Sequence, residues 1–482
     1  MGQKIKHDYK AIKFGYASAE KEGSLRPDLL LQGFYDHQDV IEQARYGDKF
    51  LFLGYKGSGK SAIGQRLILD GADSIDLVVQ PMVLKDFPFN AFGKVGSAVD
   101  EPESRYPTSW AWLILLRFLD SFDRDSAPKS PMFAKSVAAL KKANYLPIGD
   151  FKGLVVTSSK NSFKAQIPKL IAATRETAQT SEGVGLLQLV EHLRVAVRTF
   201  KSTSQHIIII DGLDDILTHK EIQYVSLAAL LQEVSRINEE FIAWSVPAKV
   251  VLLCRTDLFE LFPDANKNKV RRDSAVSLDW YHDTATPENS ALMALADLRV
   301  QLATGDRSAT LLDFLPSTID GEPIVKALLT LTRHTPRDFL QLLESIQVFA
   351  KPFEKLTIEQ VSSGMRHYSI EYFFPEIKDE LVGVGQPAEI DAMLQLIAAM
   401  KSRDFKADQL KAFASKNKVS AFEDLDIDRM LNALYDRSAI GTRTSSRALE
   451  KFSFKFRNRN SVLGYTDHII LHRGIWKAMN VG

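Results

Sequence analysis

The sequence predicts an α/β fold built on a doubly wound parallel sheet, and three observations predict it. Short runs that are apolar throughout, above all His206-Ile207-Ile208-Ile209-Ile210 and Lys249-Val250-Val251-Leu252-Leu253-Cys254, read as strands buried on both faces, the condition of a parallel sheet. Helical periodicity separates such runs, as in Leu186, Leu189, Val190, Leu193 and Val197. Residues 54–61 read Gly54-Tyr55-Lys56-Gly57-Ser58-Gly59-Lys60-Ser61, the pattern G-x4-G-K-[ST], between the apolar run Phe50-Leu51-Phe52-Leu53 and a helix-forming stretch from Ala62 to Leu69.

The elements follow in order. Residues 1–48 form a polar lead-in. The core spans 49–285, beginning with the strand and helix around the glycine-rich loop and continuing with the run Ile75-Asp76-Leu77-Val78-Val79 as a second strand. Residues 86–205 are a helical insertion, with helices around Ser109–Phe122 and Ala134–Ala143. The Ile207–Ile210 strand, a helix over Ile222–Ile237, the Lys249–Cys254 strand and a further strand Ala275–Trp280 complete five strands. Residues 286–383 are a helical lid. There Pro336 opens a helix whose buried face is Phe339, Leu342, Leu343 and Ile346. After the linker Gly383-Val384-Gly385-Gln386-Pro387, residues 388–482 carry three short helices and two alternating strands, Phe452–Phe456 and Ile469–Leu471, the order of a winged-helix-like domain.

The loop residue types state its chemistry. Glycines let the backbone curl around an anion and aim N–H groups inward, so Gly54, Tyr55, Lys56, Gly57, Ser58, Gly59, Lys60, Ser61 and Ala62 form the expected nucleotide-binding stretch. Lys60 supplies a point charge to the β- and γ-phosphates from a solvent-facing position, and Ser61 offers a hydroxyl to Mg²⁺. Asp211 leaves the carboxyl end of a buried strand, where open α/β sheets place ligands, and is the expected second holder of Mg²⁺. Asp214 and Asp215 are candidates for polarising the attacking water, with Asp214 preferred. Arg255 is either a sensor of the γ-phosphate or the partner of Asp257. Arg337 sits in the first helical turn, against the dipole, so either a Thr335 cap and Asp338 offset it or a phosphate lies nearby. Arg271 and Arg272 are candidates for reaching a neighbouring subunit's nucleotide, or an ordinary solvated pair. Asn266-Lys267-Asn268-Lys269 lacks the aspartate of a guanine-reading N-K-x-D, so ATP is the expected nucleotide.

Composition narrows the class further. The 61 basic and 60 acidic residues leave a net charge of +1, which points to no partner. The lone Cys254 excludes an internal disulfide, reads as a buried hydrophobe and fits a reducing compartment. No run approaches the length of a membrane span and the first residues lack a signal sequence, so a cytoplasmic protein is expected. Residues 437–482 carry nine Lys or Arg against Glu450 and Asp467. There Lys455 and Arg457 alternate with Phe452, Phe454 and Phe456, either a basic wing for DNA or a solvated hairpin face. Trp110 and Trp112 are expected in the core.

The phosphate loop, the Asp211-Gly212-Leu213-Asp214-Asp215 strand end, the Leu253-Cys254-Arg255-Thr256-Asp257 strand and the Thr335-Pro336-Arg337-Asp338 helix together resemble STAND-type P-loop ATPases, related to the NACHT and KAP groups and more distantly to AAA+ proteins. Closer still is the resemblance to a bacterial ATPase family with the segments Ser277–Trp280 and Phe454–Asn458, often found in defence or mobile-element loci. The resemblance implies Lys60, Ser61, Asp211 and Asp214 as the nucleotide core. It departs from AAA+ proteins in that Gly212, not a glutamate, follows the aspartate. The expected function is an ATP-dependent oligomerising switch, acting with an effector protein in bacterial defence. Alternatives are a DNA-binding ATPase using the C-terminal domain and a non-hydrolysing nucleotide-held scaffold.

Overall fold

The computed structural model describes residues 3–95, 102–160, 166, 168–170, 172, 185–213, 221–263, 267–281, 286–417, 422, 425–446 and 449–481. By contact the chain divides into two compact units. One comprises Asp36–Tyr55 and Lys60–Leu278, the other Met1–Tyr35, Lys56–Gly59 and Asp279–Gly482.

The first of these is a parallel five-stranded sheet covered by helices. Its labelled elements are β1 (Leu51–Gly54), α1 (Lys60–Asp73), β2 (Leu77–Val83), α2 (Pro102–Arg124), α3 (Pro131–Lys142), α4 (Leu186–Arg198), β3 (Gln205–Asp211), α5 (Glu221–Trp244), β4 (Ala248–Arg255), α6 (Thr256–Glu260), α7 (Lys267–Ser274) and β5 (Ala275–Ser277). The strand order is β2-β3-β4-β1-β5, all parallel. Register aligns Met82, Ile210, Leu252 and Leu51 across the sheet, so the strands end along one edge, with Gly54 beside Arg255. The aliphatic runs are buried for the reason expected: β4 from Val250 to Cys254 and β3 from Ile207 to Ile210 are sandwiched between helices. Trp110 and Trp112 are fully buried in α2. Each satisfies its indole N–H, on the Ser226 carbonyl and the Ser158 hydroxyl at 2.9 Å. Strand β5 is shorter than the expected Ala275–Trp280, because the chain leaves the sheet at Leu278 and Trp280 takes up another role described below.

The second unit is helical with a small sheet. Its labelled elements are the hairpin β6 (Thr318–Ile319) and β7 (Glu322–Pro323), then α8 (Pro336–Gln347), α9 (Ile358–Tyr368), α10 (Phe374–Leu381), α11 (Pro387–Ala399), β8 (Asp404–Phe405), α12 (Ala407–Asn417), α13 (Ile427–Asp436), β9 (Ile440–Ser446), β10 (Leu449–Ser453) and β11 (His468–Leu471). Thr335 caps α8 by accepting the Asp338 N–H, and Phe339, Leu342, Leu343 and Ile346 form its buried face. Helix α9 lies against α8 at Gly364, where a Cβ would stand 2.4 Å from the Ile346 Cα. The chain's beginning belongs to this unit too: Tyr9, Ile12 and Phe14 are buried with Leu343 and Phe339. After the linker, the helix-strand-helix-helix-strand-strand-strand order and the antiparallel sheet β10-β9-β11-β8 make a winged-helix-like domain.

Its hairpin corrects one expectation. The paired strand is Leu449–Ser453, not Phe452–Phe456, and its partner β9 is a polar segment with no apolar alternation. Beyond Ser453 the chain turns: the Arg457 N–H donates to the Phe454 carbonyl at 3.0 Å. The Phe454 ring covers Gly441, where a Cβ would meet it at 2.7 Å. Lys455 and Arg457 therefore share no strand face. The Lys455 ammonium donates to the Ser461 carbonyl at 2.9 Å, and the Arg457 guanidinium lies over the Tyr281, Phe454 and Phe456 rings. Phe452 is exposed rather than docked. The spacing of Phe454 and Phe456 records aromatic packing through a turn.

Candidate nucleotide site

The phosphate loop begins where β1 ends and enters α1 at Lys60. Gly57 and Gly59 hold φ of +82° and +97°, the left-handed region open to glycine, so these two glycines are needed for the backbone path itself. Lys60 is buried at 8% exposure, not solvent-facing as expected. Its ammonium curls back to donate to the carbonyls of Gly54 at 2.9 Å and Tyr55 at 3.0 Å. A small loop closed on its own lysine makes this possible.

The loop has the properties of an anion cradle. Its chain neighbours aside, no described residue lies within 4 Å of where a Cβ on Gly59 would stand, so there is open space above that backbone. The Ser58 hydroxyl is buried and has no hydrogen-bond partner among the described residues. The N-terminus of α1, 14 residues long, follows directly with Lys60 and Ser61. These residues fit a polyphosphate.

On the same unit, Asp211 closes β3, with its carboxylate accepting the Gly212 N–H at 2.7 Å. Gly212 holds φ of +82°, and a Cβ there would press on the Lys85 amide at 3.1 Å. That backbone turn explains why glycine follows the aspartate. Asp214 and Asp215 lie outside the described residues. Arg255 pairs with Asp257 through Nε at 3.0 Å and Nη2 at 2.5 Å. Partial desolvation raises the half-exposed Asp257 carboxyl, but Arg255 and Lys60 together hold it below the ordinary carboxylate value. Asp257 thus belongs to the electrostatic surroundings of Lys60, a part the sequence pattern does not announce. Arg271 is pinned by an ion pair with Glu260 and lies over the Phe259 ring at 4.8 Å, whereas Arg272 is exposed.

On the other unit, the middle of the loop is gripped at three points. The Trp280 indole donates to the Ser58 carbonyl at 3.0 Å. The Arg337 N–H donates to the Gly57 carbonyl at 3.2 Å, and a Cβ on Gly57 would meet the Thr335 hydroxyl and the Arg337 Cβ at 3.1 Å. The Lys56 ammonium lies 2.8 Å from Glu376 and 3.8 Å from Glu380, both on α10. The expected Thr335 cap is in place, but the carboxylate that Arg337 reaches is Glu376 at 3.5 Å rather than Asp338, which is taken up by Arg333. Behind Lys56 stands a buried network. Arg333 binds Asp338 at 2.9 Å and Glu380 at 2.9 Å, and Tyr372 donates to Asp338 at 3.1 Å. Burial depresses the Arg333 cation, yet Asp338 and Glu380 carry its pKa well above the usual guanidinium value. Trp280, Glu376 and Glu380 are the neighbours of the loop that sequence reading missed; only Trp280 had a local signal, in its Ser-Leu-Asp-Trp segment.

A second polar array resembles a catalytic one and is not. Ser121, His206 and Asp125 form a chain through the imidazole at 2.8 and 3.0 Å. All three side chains are buried, and the His206 ring packs edge-on against Phe122 and Phe200. It is a satisfied core network. Among the described residues no cluster of three or more His, Cys, Asp or Glu could hold a metal ion, and no helix is long and apolar enough to cross a membrane.

The loop between β1 and α1, the strand order β2-β3-β4-β1-β5 and the acid closing β3 define an α/β P-loop NTPase fold. No family model and no curated protein sequence matches the chain. Among solved structures, the Aeropyrum pernix Orc1 protein in complex with DNA matches at 14% identity and a TM-score of 0.40, over 95% of this chain and 96% of that chain. That score carries no weight here, and the fold assignment rests on the sheet and loop described above.

Proposed function

We propose that this chain binds Mg-ATP on residues 54–62 and hydrolyses it, serving as a nucleotide-dependent switch whose lid reports what the loop holds. The observation that carries the reading is the three-point grip on Lys56–Gly59 by Trp280, Arg337 and the α10 carboxylates. The grip takes the Gly57 and Ser58 carbonyls and so fixes the path of the loop, while a phosphate would draw on the N–H groups of that same path, so binding and the contacts of α8, α10 and Trp280 with the loop are linked. In this reading Lys60 meets the β- and γ-phosphates. Ser61 and Asp211 hold Mg²⁺, whose chemistry when bound is to neutralise charge on the transferring phosphoryl group. Asp214 or Asp215 orients water. The Arg255–Asp257 pair and Lys60 supply the surrounding field, and Arg337 couples the loop to α8.

Assembly into oligomers is part of the proposal, with Arg272 rather than Arg271 as the residue offered to a neighbour, since Arg271 is held by Glu260. The test is hydrogen exchange of α10 with and without Mg-ATP, beside steady-state hydrolysis. Nucleotide-dependent protection in α10 supports the switch. Turnover unaccompanied by any change in α10 removes the switch and leaves an ATPase. Absence of nucleotide binding removes both.

A further inference from the structure

A cavity of about 460 Å³ opens in the second unit, away from the phosphate loop, between α9, the β6–β7 turn and the chain's last helical turn. That volume lies within the range of small-molecule sites. Its charge is unbalanced. Arg366, Arg403 and Lys477 line it and make no ion pair among the described residues; a fourth cation, Arg473, is held by Glu322 at 2.5 Å and Thr330 at 3.0 Å. Asp320 is the only carboxylate lining it among the described residues. Three cations facing one concavity repel one another unless an anion joins them.

The rest of the lining says what kind of anion. Ser362 and Ser363, on the α9 turn that carries Arg366, present hydroxyls that hydrogen-bond no described residue. Two guanidinium forks, an ammonium and two hydroxyls match the several oxygens of a phosphate better than the two of a carboxylate. The remaining wall is apolar, from Leu331, Met365, Trp476 and Val481, and the Arg403 guanidinium lies 4.1 Å over the Trp476 ring, which holds it in place. A bare ion has no use for that wall. We propose that this cavity binds a small organic phosphate, with the phosphoryl group on Arg366, Arg403, Lys477 and the serines and the organic body against Met365 and Trp476. The inference stands apart from the switch reading, because no residue of the phosphate loop takes part.

Phenyl phosphate is the probe, titrated calorimetrically into the full chain. Binding is expected for wild type. It should weaken at least about tenfold in Arg366→Ala/Arg403→Ala, two exposed side chains whose loss should leave the protein folded, as its melting profile would show. Phenol and benzoate should bind far less, lacking the multiply charged head. Lys60→Ala should bind the probe as wild type does. The proposal is overturned if the probe gives no signal at millimolar concentration, or if binding survives the double substitution and disappears in Lys60→Ala, which assigns it to the phosphate loop. A short DNA duplex that displaces the probe and binds more tightly would overturn it equally, assigning the cations to a nucleic-acid backbone.

Discussion

Two lysines stand four residues apart at opposite ends of one loop, and they are held by different kinds of oxygen. Lys60 donates to neutral main-chain carbonyls of its own loop, while Lys56 faces the carboxylates of Glu376 and Glu380. A carbonyl gives way readily to a phosphate, because exchanging a neutral acceptor for a charged one strengthens the bond. A carboxylate does not. The comparison teaches that the same side chain is suited to exchange onto a ligand at one end and to act as a tether at the other, according to the charge of what it touches; the exchange at Lys60 rests on the function proposed above.

The tether is only as firm as its anchor, and breaking the anchor should give the largest effect. Asp338→Asn leaves Arg333 buried with one carboxylate fewer, which should cost about 3–5 kcal/mol in a urea unfolding curve. A loss under about 1 kcal/mol would show that the anchor is not rigid. At the other end, Lys60→Ala should lower hydrolysis on the order of 10²–10³-fold, the scale for removing one preorganised donor to developing charge. Because Lys60 is buried, its replacement also costs some stability, so folding is checked by circular dichroism. Hydrolysis unchanged in a folded Lys60→Ala protein would end the comparison.

Acid should reach the anchor through His472. Burial and the nearby Arg333 lower its imidazole to about 3, against about 6.5 in an unfolded chain. Between these values the unfolded chain binds a proton that the folded one does not, so stability falls as pH falls from 6.5 toward 3. The slope from this one group is about 1.4 kcal/mol per pH unit at most. His472→Gln should remove that slope, which parallel unfolding curves at pH 6 and pH 5 would show. The smallest effect sharpens the comparison most: Lys56→Ala should cost no more than about 1 kcal/mol, since its ion pair is partly exposed. Turnover should stay within about tenfold of wild type, while the response of α10 to Mg-ATP in hydrogen exchange disappears. Turnover lost as fully as in Lys60→Ala would mean that both lysines serve the phosphate.

The parallel sheet was legible because strands covered on both faces must be apolar throughout, and β3 and β4 could be read off as such. The loop was legible because its glycines answer a backbone requirement that leaves a fixed spacing. Strand β9 was not: at Gly441 the Phe454 ring leaves no room for a side chain, and there follow a buried Thr442, a half-buried Arg443 and an exposed Thr444, so no apolar alternation marks it. The grip on the loop was hidden for another reason. Lys56 and Glu376 are some three hundred residues apart, and nothing local in either segment records the pairing. The fate of Lys455 and Arg457 went unseen because a period-two aromatic pattern fits a strand and a tight turn alike.

The buried Arg333–Asp338–Glu380 group also constrains how this sequence can drift. Losing any one member strands a charge in the interior, at a cost comparable to a large share of the roughly 5–15 kcal/mol that keeps a domain folded. Replacing all three together by well-packed apolar side chains carries no such penalty. Single-step paths away from the triad are therefore closed while a concerted one is open, and descendants of this sequence should carry the three residues whole or not at all.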